Sequence, residues 1–101
     1  MNIKNLQEGA RAASAFLKAL GNENRIRILC ELAAGERSVG ELAARIGLSQ
    51  SALSQHLARL RGEGLVKTRR QAQTIYYSLA STKAAKIIEI LYDLYCAKAK
   101  G

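Results

Sequence analysis

At 101 residues the chain has room for one domain with a modest core, small enough that a second copy would help to bury its apolar surface. Sixteen Lys and Arg against eight Asp and Glu leave a formal charge of +8, which favours a polyanionic partner over mere solubility because the excess gathers after Leu57. No run is apolar enough to span a bilayer, no secretory signal opens the chain, and no proline-rich or repetitive linker divides it; the expectation is one cytoplasmic domain without membrane contact, in which two cysteines do not by default form a disulfide.

Leu6 to Leu20 predicts a first helix, with Ala10, Ala13, Phe16, Leu17 and Leu20 as its apolar stripe. Gly21 and Asn22 interrupt it. Asn22 caps a second helix that carries Glu23 in its first turn and Ile26, Ile28, Leu29, Leu32 and Ala33 as apolar positions, until Gly35 stops it. Cys30 lies in the middle of that helix, flanked by core positions.

Ser38 to Leu60 reads as two short helices around a tight turn. Ser38 with Glu41 forms a capping box, Gly47 closes the first helix in a left-handed conformation, Leu48 follows as an apolar contact, and Ser49 caps the second helix. Leu53, Leu57 and Leu60 recur at helical spacing and predict a buried stripe. The other face carries Gln50, Ser51, Ser54, Gln55 and Arg59. Amides, hydroxyls and a guanidinium suit base edges and phosphates, whereas an ordinary solvated face is laced with Glu and Lys. Two helices joined by a short Gly-containing turn, the second polar outside, are a helix-turn-helix.

After Gly62 and Gly64 the period changes to two. Leu65 and Val66 begin a run that resumes at Thr74 to Leu79, with Arg69, Arg70, Gln71, Ala72 and Gln73 between, which predicts a hairpin with a basic tip. Lys67, Arg69 and Arg70 cluster without an acid among them, so the hairpin reads as a wing against phosphates or the minor groove rather than as a solvated loop. Ser49, His56, Gln71 and Gln73 complete the set expected at DNA. His56 borders the leucine stripe and is read foremost as half-buried, orienting its helix. Ser81 or Thr82 then caps a last helix running to about Ala99, whose face of Ile87, Ile88, Leu91, Leu94 and Tyr95 is too wide for one contact and leaves part, with the first helix, for a symmetric copy. The fold class is a mainly α winged helix-turn-helix of five helices and a two-stranded wing, a homodimer over residues 1–101.

The stretches NENRIRILCEL, SVGELAARIGLSQSALSQHLARLRGEGLV and RRQAQTIYYSL resemble the ArsR (SmtB) family of small winged-helix repressors over nearly the whole chain. The resemblance implies a homodimer that leaves a double-stranded DNA operator when an inducer binds. Many members sense metals, but the family's thiol-rich C-V-C-D stretch corresponds here to Ser38, Val39, Gly40 and Glu41, and His56 is the only histidine. With two cysteines and a lone Asp93, no metal and no other cofactor is expected, although four thiolates across a dimer remain conceivable. The placement of Cys30 and Cys96 resembles the branch that includes BigR, SqrR and HlyU, which implies that the pair senses reactive sulfur species by forming a di- or polysulfide. Tyr92 and Tyr95 either shape that pocket or simply pack. An anti-silencing regulator and a metal-responsive repressor stay open as alternatives. A small thiol oxidoreductase lacks a C-x-x-C and an alternating βαβ pattern, and no catalytic constellation forms around His56, so no enzyme is expected.

Overall fold

The chain enters its first helix at Asn2, whose side-chain oxygen accepts the backbone N–H groups of Lys4 at 3.0 Å and Asn5 at 3.4 Å, in a computed structural model that describes residues 1–96. This helix, α1, spans Ile3–Glu8, and α2 spans Ala10–Leu20. The single helix predicted from Leu6 to Leu20 is therefore two. Gly9 leaves helical geometry at φ −89° and ψ 6° and donates its N–H to the carbonyls of both Asn5 and Leu6, ending α1 where a residue without a side chain holds a helix least well. Of the expected stripe, Leu20 is buried and Phe16 packs against the core, but Leu17 is exposed.

Asn22 caps α3 (Glu23–Ala33), accepting from the N–H groups of Asn24 and Arg25, and Ile28, Leu29 and Leu32 enter the core. Arg37 and Ser38 then form a short strand, β1, that the sequence did not announce. Helices α4 (Val39–Ile46) and α5 (Gln50–Gly62) follow as expected, with Gly47 at φ 82° between them. The leucine stripe of α5 is sealed: Leu53, Leu57 and Leu60 are 0, 2 and 0 % exposed. Leu65 N–H donates to the Leu60 carbonyl and its own carbonyl accepts from Ala80 N–H, so one residue closes α5 and fastens the far end of the sheet.

Strands β2 (Val66–Gln71) and β3 (Thr74–Leu79) pair antiparallel, and β1 adds to β3 through Arg37 opposite Tyr77 and Ser38 opposite Tyr76, in the order β1-β3-β2. The predicted five-residue basic tip is instead a two-residue turn at Ala72 and Gln73, because Arg69, Arg70 and Gln71 join the ladder opposite Tyr76, Ile75 and Thr74. Tight hairpin turns favour φ > 0, and Ala72 takes φ 56° without being glycine or asparagine. Ser81 caps α6 (Thr82–Tyr95), accepting from Ala84 N–H at 3.3 Å. The expected helical stretch beyond Cys96 lies outside the described residues. Five helices and a two-stranded wing thus become six helices and a three-stranded sheet among the described residues. None of these helices is long and apolar enough to cross a membrane.

Candidate nucleic-acid interface and thiol pair

Local chemistry fixes how α5 is presented. Glu41 N–H donates to Ser38 Oγ at 3.1 Å while Ser38 N–H donates to a Glu41 carboxylate oxygen at 2.8 Å, completing the capping box. The Ser38 backbone N–H, then its hydroxyl, hold the Glu41 carboxyl below the usual carboxylate range. Only a left-handed residue turns the chain sharply at Gly47, and Leu48 then packs on the core. Ser49 Oγ accepts Ala52 N–H at 3.1 Å, so this hydroxyl oxygen serves first as a cap.

With the stripe buried, Gln50, Ser51, Ser54, Gln55 and Arg59 stand on the exposed face. Among the described residues their side chains have no hydrogen-bond partner, leaving their donors and acceptors available. His56 is half-buried, as read from the stripe, and its Nδ1 lies 3.4 Å from Arg25 Nη1. Arg25 also donates through Nε to the Ala19 carbonyl and through Nη2 to that of Lys18, so α3 ties the end of α2 to the middle of α5. The brace leaves no mark in the sequence, because Arg25 and His56 lie 31 positions apart in the chain.

The wing differs more from expectation. Side chains alternate along a strand, so Lys67, Arg69 and Gln71 share one face and Arg70 lies on the other; the cluster read from the sequence is split. An acid also reaches it. Glu36, from the loop before β1, receives two hydrogen bonds from the Arg69 fork, at 2.8 and 3.1 Å. The same guanidinium donates to Gln71 Oε1 at 2.8 Å and stacks 4.6 Å from the Tyr76 ring. Its hydrogen bonding to Glu36 holds the Glu36 carboxyl below its ordinary range, and Glu36 raises Arg69 in return. Lys67, Arg70 and Gln73 remain exposed. A groove of about 560 Å³ between α5 and the wing is lined in part by Ser54, Ala58, Arg61 and Ile75. Arg61 was absent from the expected set, although its place in the last turn of α5 was a signal for it.

Between α3 and α6 lies an open cavity of about 630 Å³ whose walls include Ile26, Cys30, Leu91, Tyr92, Tyr95 and Cys96. Both cysteines are free and exposed, so Cys30, although flanked by core positions along α3, is not itself in the core. Its thiol nevertheless sits above the ordinary value, first because the apolar wall withdraws it from water, then because Cys96 and Glu31 disfavour a nearby negative charge. Cys30 is therefore mostly protonated near neutral pH, rather than a thiol activated by positive surroundings.

Residues 22–68 match the family described as bacterial regulatory protein, arsR family. Over 96 residues the chain is 53 % identical to the transcriptional activator HlyU of Vibrio cholerae, spanning 95 % of this chain and 89 % of that one. It superposes on reduced HlyU from the same species with a TM-score of 0.86, covering 92 % of this chain and 98 % of that one. The transcriptional repressor BigR from Xylella fastidiosa superposes with a TM-score of 0.89 at 40 % identity, over 96 % and 99 % of the two chains. A homodimeric winged helix-turn-helix DNA-binding domain from Mycobacterium bovis, a possible ArsR-family transcriptional regulator, gives a TM-score of 0.79 at 32 % identity, over 84 % and 79 %. The capped helix pair with its polar outer face, the hairpin beside it and these likenesses lead to one conclusion: the chain belongs to the arsR family of bacterial regulatory proteins, winged helix-turn-helix transcriptional regulators that bind DNA and are not enzymes.

Proposed function

We propose that the chain is a homodimeric repressor of an inverted-repeat operator, released when reactive sulfur species join Cys30 to Cys96. In each protomer α5 enters the major groove, with Gln50, Ser51, Ser54 and Gln55 at base edges and Arg59 at phosphates. Lys67 and Arg70 reach the backbone from the wing, with Gln73 at its turn; Arg69 joins them only on leaving Glu36. Two-fold symmetry sets the two α5 helices about 34 to 36 Å apart, one helical turn of DNA. The homodimer of the mycobacterial relative supports the pairing, as do Leu94 and Tyr95 of α6, 62 and 75 % exposed.

The observation that carries the switch is the single cavity lined by both thiols. A Cys30 thiolate attacks the outer sulfur of an organic persulfide, R–S–SH; the S–S bond breaks, the thiol RSH leaves with the proton, and Cys30 becomes a persulfide. Cys96 then attacks the Cys30 sulfur and expels hydrogen sulfide, leaving a disulfide; the overall change consumes two thiols and one persulfide and yields RSH and H₂S. A second equivalent of persulfide inserts one more sulfur before closure. Each bridge is a two-electron oxidation of the thiol pair, with the persulfide as oxidant.

Cys30→Ser tests the reading: it should bind operator like wild type and keep it on persulfide treatment, whereas release equal to wild type removes Cys30 from the switch. A second reading draws on the activator designation of HlyU. A protein that displaces a silencing DNA-binding protein uses the same contacts yet raises transcription. Reporter assays with and without the chain separate the two by the sign of the change.

A further inference from the structure

Helix α3 carries Cys30 and, as the next residue, Glu31, the only acid of α3 that forms an ion pair among the described residues. Its Oε1 accepts a hydrogen bond from Arg45 Nε at 2.5 Å, and Arg45 lies in the last turn of α4, two residues before the glycine that turns the chain into α5. The same oxygen is 3.7 Å from Arg37 Nε on β1, the strand paired to the wing through Tyr77. That distance is too long for a hydrogen bond, and Arg37 Nε is buried with no hydrogen-bond partner among the described residues. One carboxylate thus faces two guanidinium donors, one satisfied and one waiting.

A buried donor without an acceptor has a strong call on any that comes within reach, and here the acceptor is about an ångström too far away. We propose that Glu31 is the positioning residue that couples the thiol pair to the DNA-reading helices: when a sulfur bridge draws α3 toward α6, its carboxylate passes from Arg45 to Arg37. Arg45 then loses its hold on α3, and α4, with the turn at Gly47 and the base of α5, is freed to shift, while β1 gains a tie. The arrangement supplies what coupling between distant sites requires, an element with two discrete partners that both sites bias. The other polar link from α3, Arg25 to His56, leaves five residues before Cys30 and is anchored to carbonyls at the end of α2, so a bridge at Cys30 moves it less. The inference rests on the sulfur-bridge reading above.

The test measures duplex affinity of the full chain, reduced and after treatment with an organic persulfide, with mass spectrometry confirming the bridge in each sample. Wild type should lose about 5- to 150-fold in affinity on bridging, the usual span of such coupling. Glu31→Gln, which breaks the Arg45 ion pair without a bridge, should already bind in the reduced state about as weakly as bridged wild type, acquire the bridge completely, and then change affinity by less than about threefold. A Glu31→Gln that binds like wild type when reduced and loses affinity on bridging as fully as wild type overturns the coupling role and leaves the sulfur switch standing. Bridged wild type that keeps its DNA overturns the switch and the coupling with it. Should Glu31→Gln fold poorly by circular dichroism, Arg45→Gln, at a half-exposed side chain, makes the same test from the other partner and is expected to show the same loss of response.

Discussion

Helices α5 and α6 are both amphipathic, but α5 buries its whole apolar stripe in its own protomer, whereas α6 buries Ala84 and Ile88 and leaves Ile90, Tyr92, Leu94 and Tyr95 exposed. The difference separates a fixed reader from an adjustable support. The position of α5 is set by three sealed leucines, a serine cap and the left-handed Gly47. That of α6 rests on fewer core contacts, with its outer face and Cys96 at its C-terminal cap left outside the core of the protomer. A switch acts with least cost on the element whose packing the domain core has not already determined.

The largest expected effect tests the reader. If the dimer neutralises roughly 6 to 10 phosphates, raising salt from about 50 to 200 mM weakens duplex binding by about 10³ to 10⁵, seen as the slope of log affinity against log salt. A flat slope would leave the polar face of α5 without a polyanion. Next, Leu57→Ala should cost about 2 to 5 kcal/mol in denaturant unfolding, because it empties a sealed core position. Leu94→Ala should change unfolding of the dilute chain by no more than about 0.5 kcal/mol and instead shift the dimer equilibrium measured by sedimentation. Equal losses from the two would erase the contrast between the helices.

The caps and the stripe were legible because they are local: Ser38 with Glu41, Gly47, Ser49 and every third or fourth leucine lie within a few residues of each other. The pairings that organise the surface were not. Glu36 with Arg69 spans 33 positions and Glu31 with Arg45 spans 14, so neither could be read from periodicity. Strand β1 is two residues long and has no pattern of its own, existing because β3 offers it an edge. Gly9 lies inside a run of good helix formers that hides the break. The hairpin turn looks like a longer loop because Ala72 carries no Gly or Asn signal, and the basic cluster looks like one patch because alternation across the strand cannot be applied until the ladder is known. Among the proposed site residues, the face of α5 came from the sequence, as did the placing of Cys30 and Cys96 on two helices; their shared cavity needed the fold.

The thiol side offers a further contrast with the reader. With Cys30 raised above the ordinary thiol value, its thiolate fraction climbs about tenfold per pH unit below that pKa. Alkylation by a neutral reagent, followed at Cys30 by peptide mass mapping, should accelerate in that proportion from about pH 6 to 8.5 without levelling off; a plateau near neutrality would mean an activated thiol. The sign for the wing is the reverse. Glu36 is held below its ordinary range by Arg69, so the stabilisation from that pair is complete above the unfolded carboxyl value and lost as pH falls through the lower folded one. The smallest effect concerns the wing turn: Ala72→Gly, which relieves a left-handed alanine, should stabilise the chain by up to about 1 kcal/mol in thermal or denaturant unfolding.

The most direct measurement is the affinity of one protein sample for one duplex in three successive states: reduced, bridged by persulfide between Cys30 and Cys96, and reduced again. The account predicts tight binding, a loss of about fivefold or more, and full return. A bridge verified by mass that leaves the affinity unchanged would contradict it.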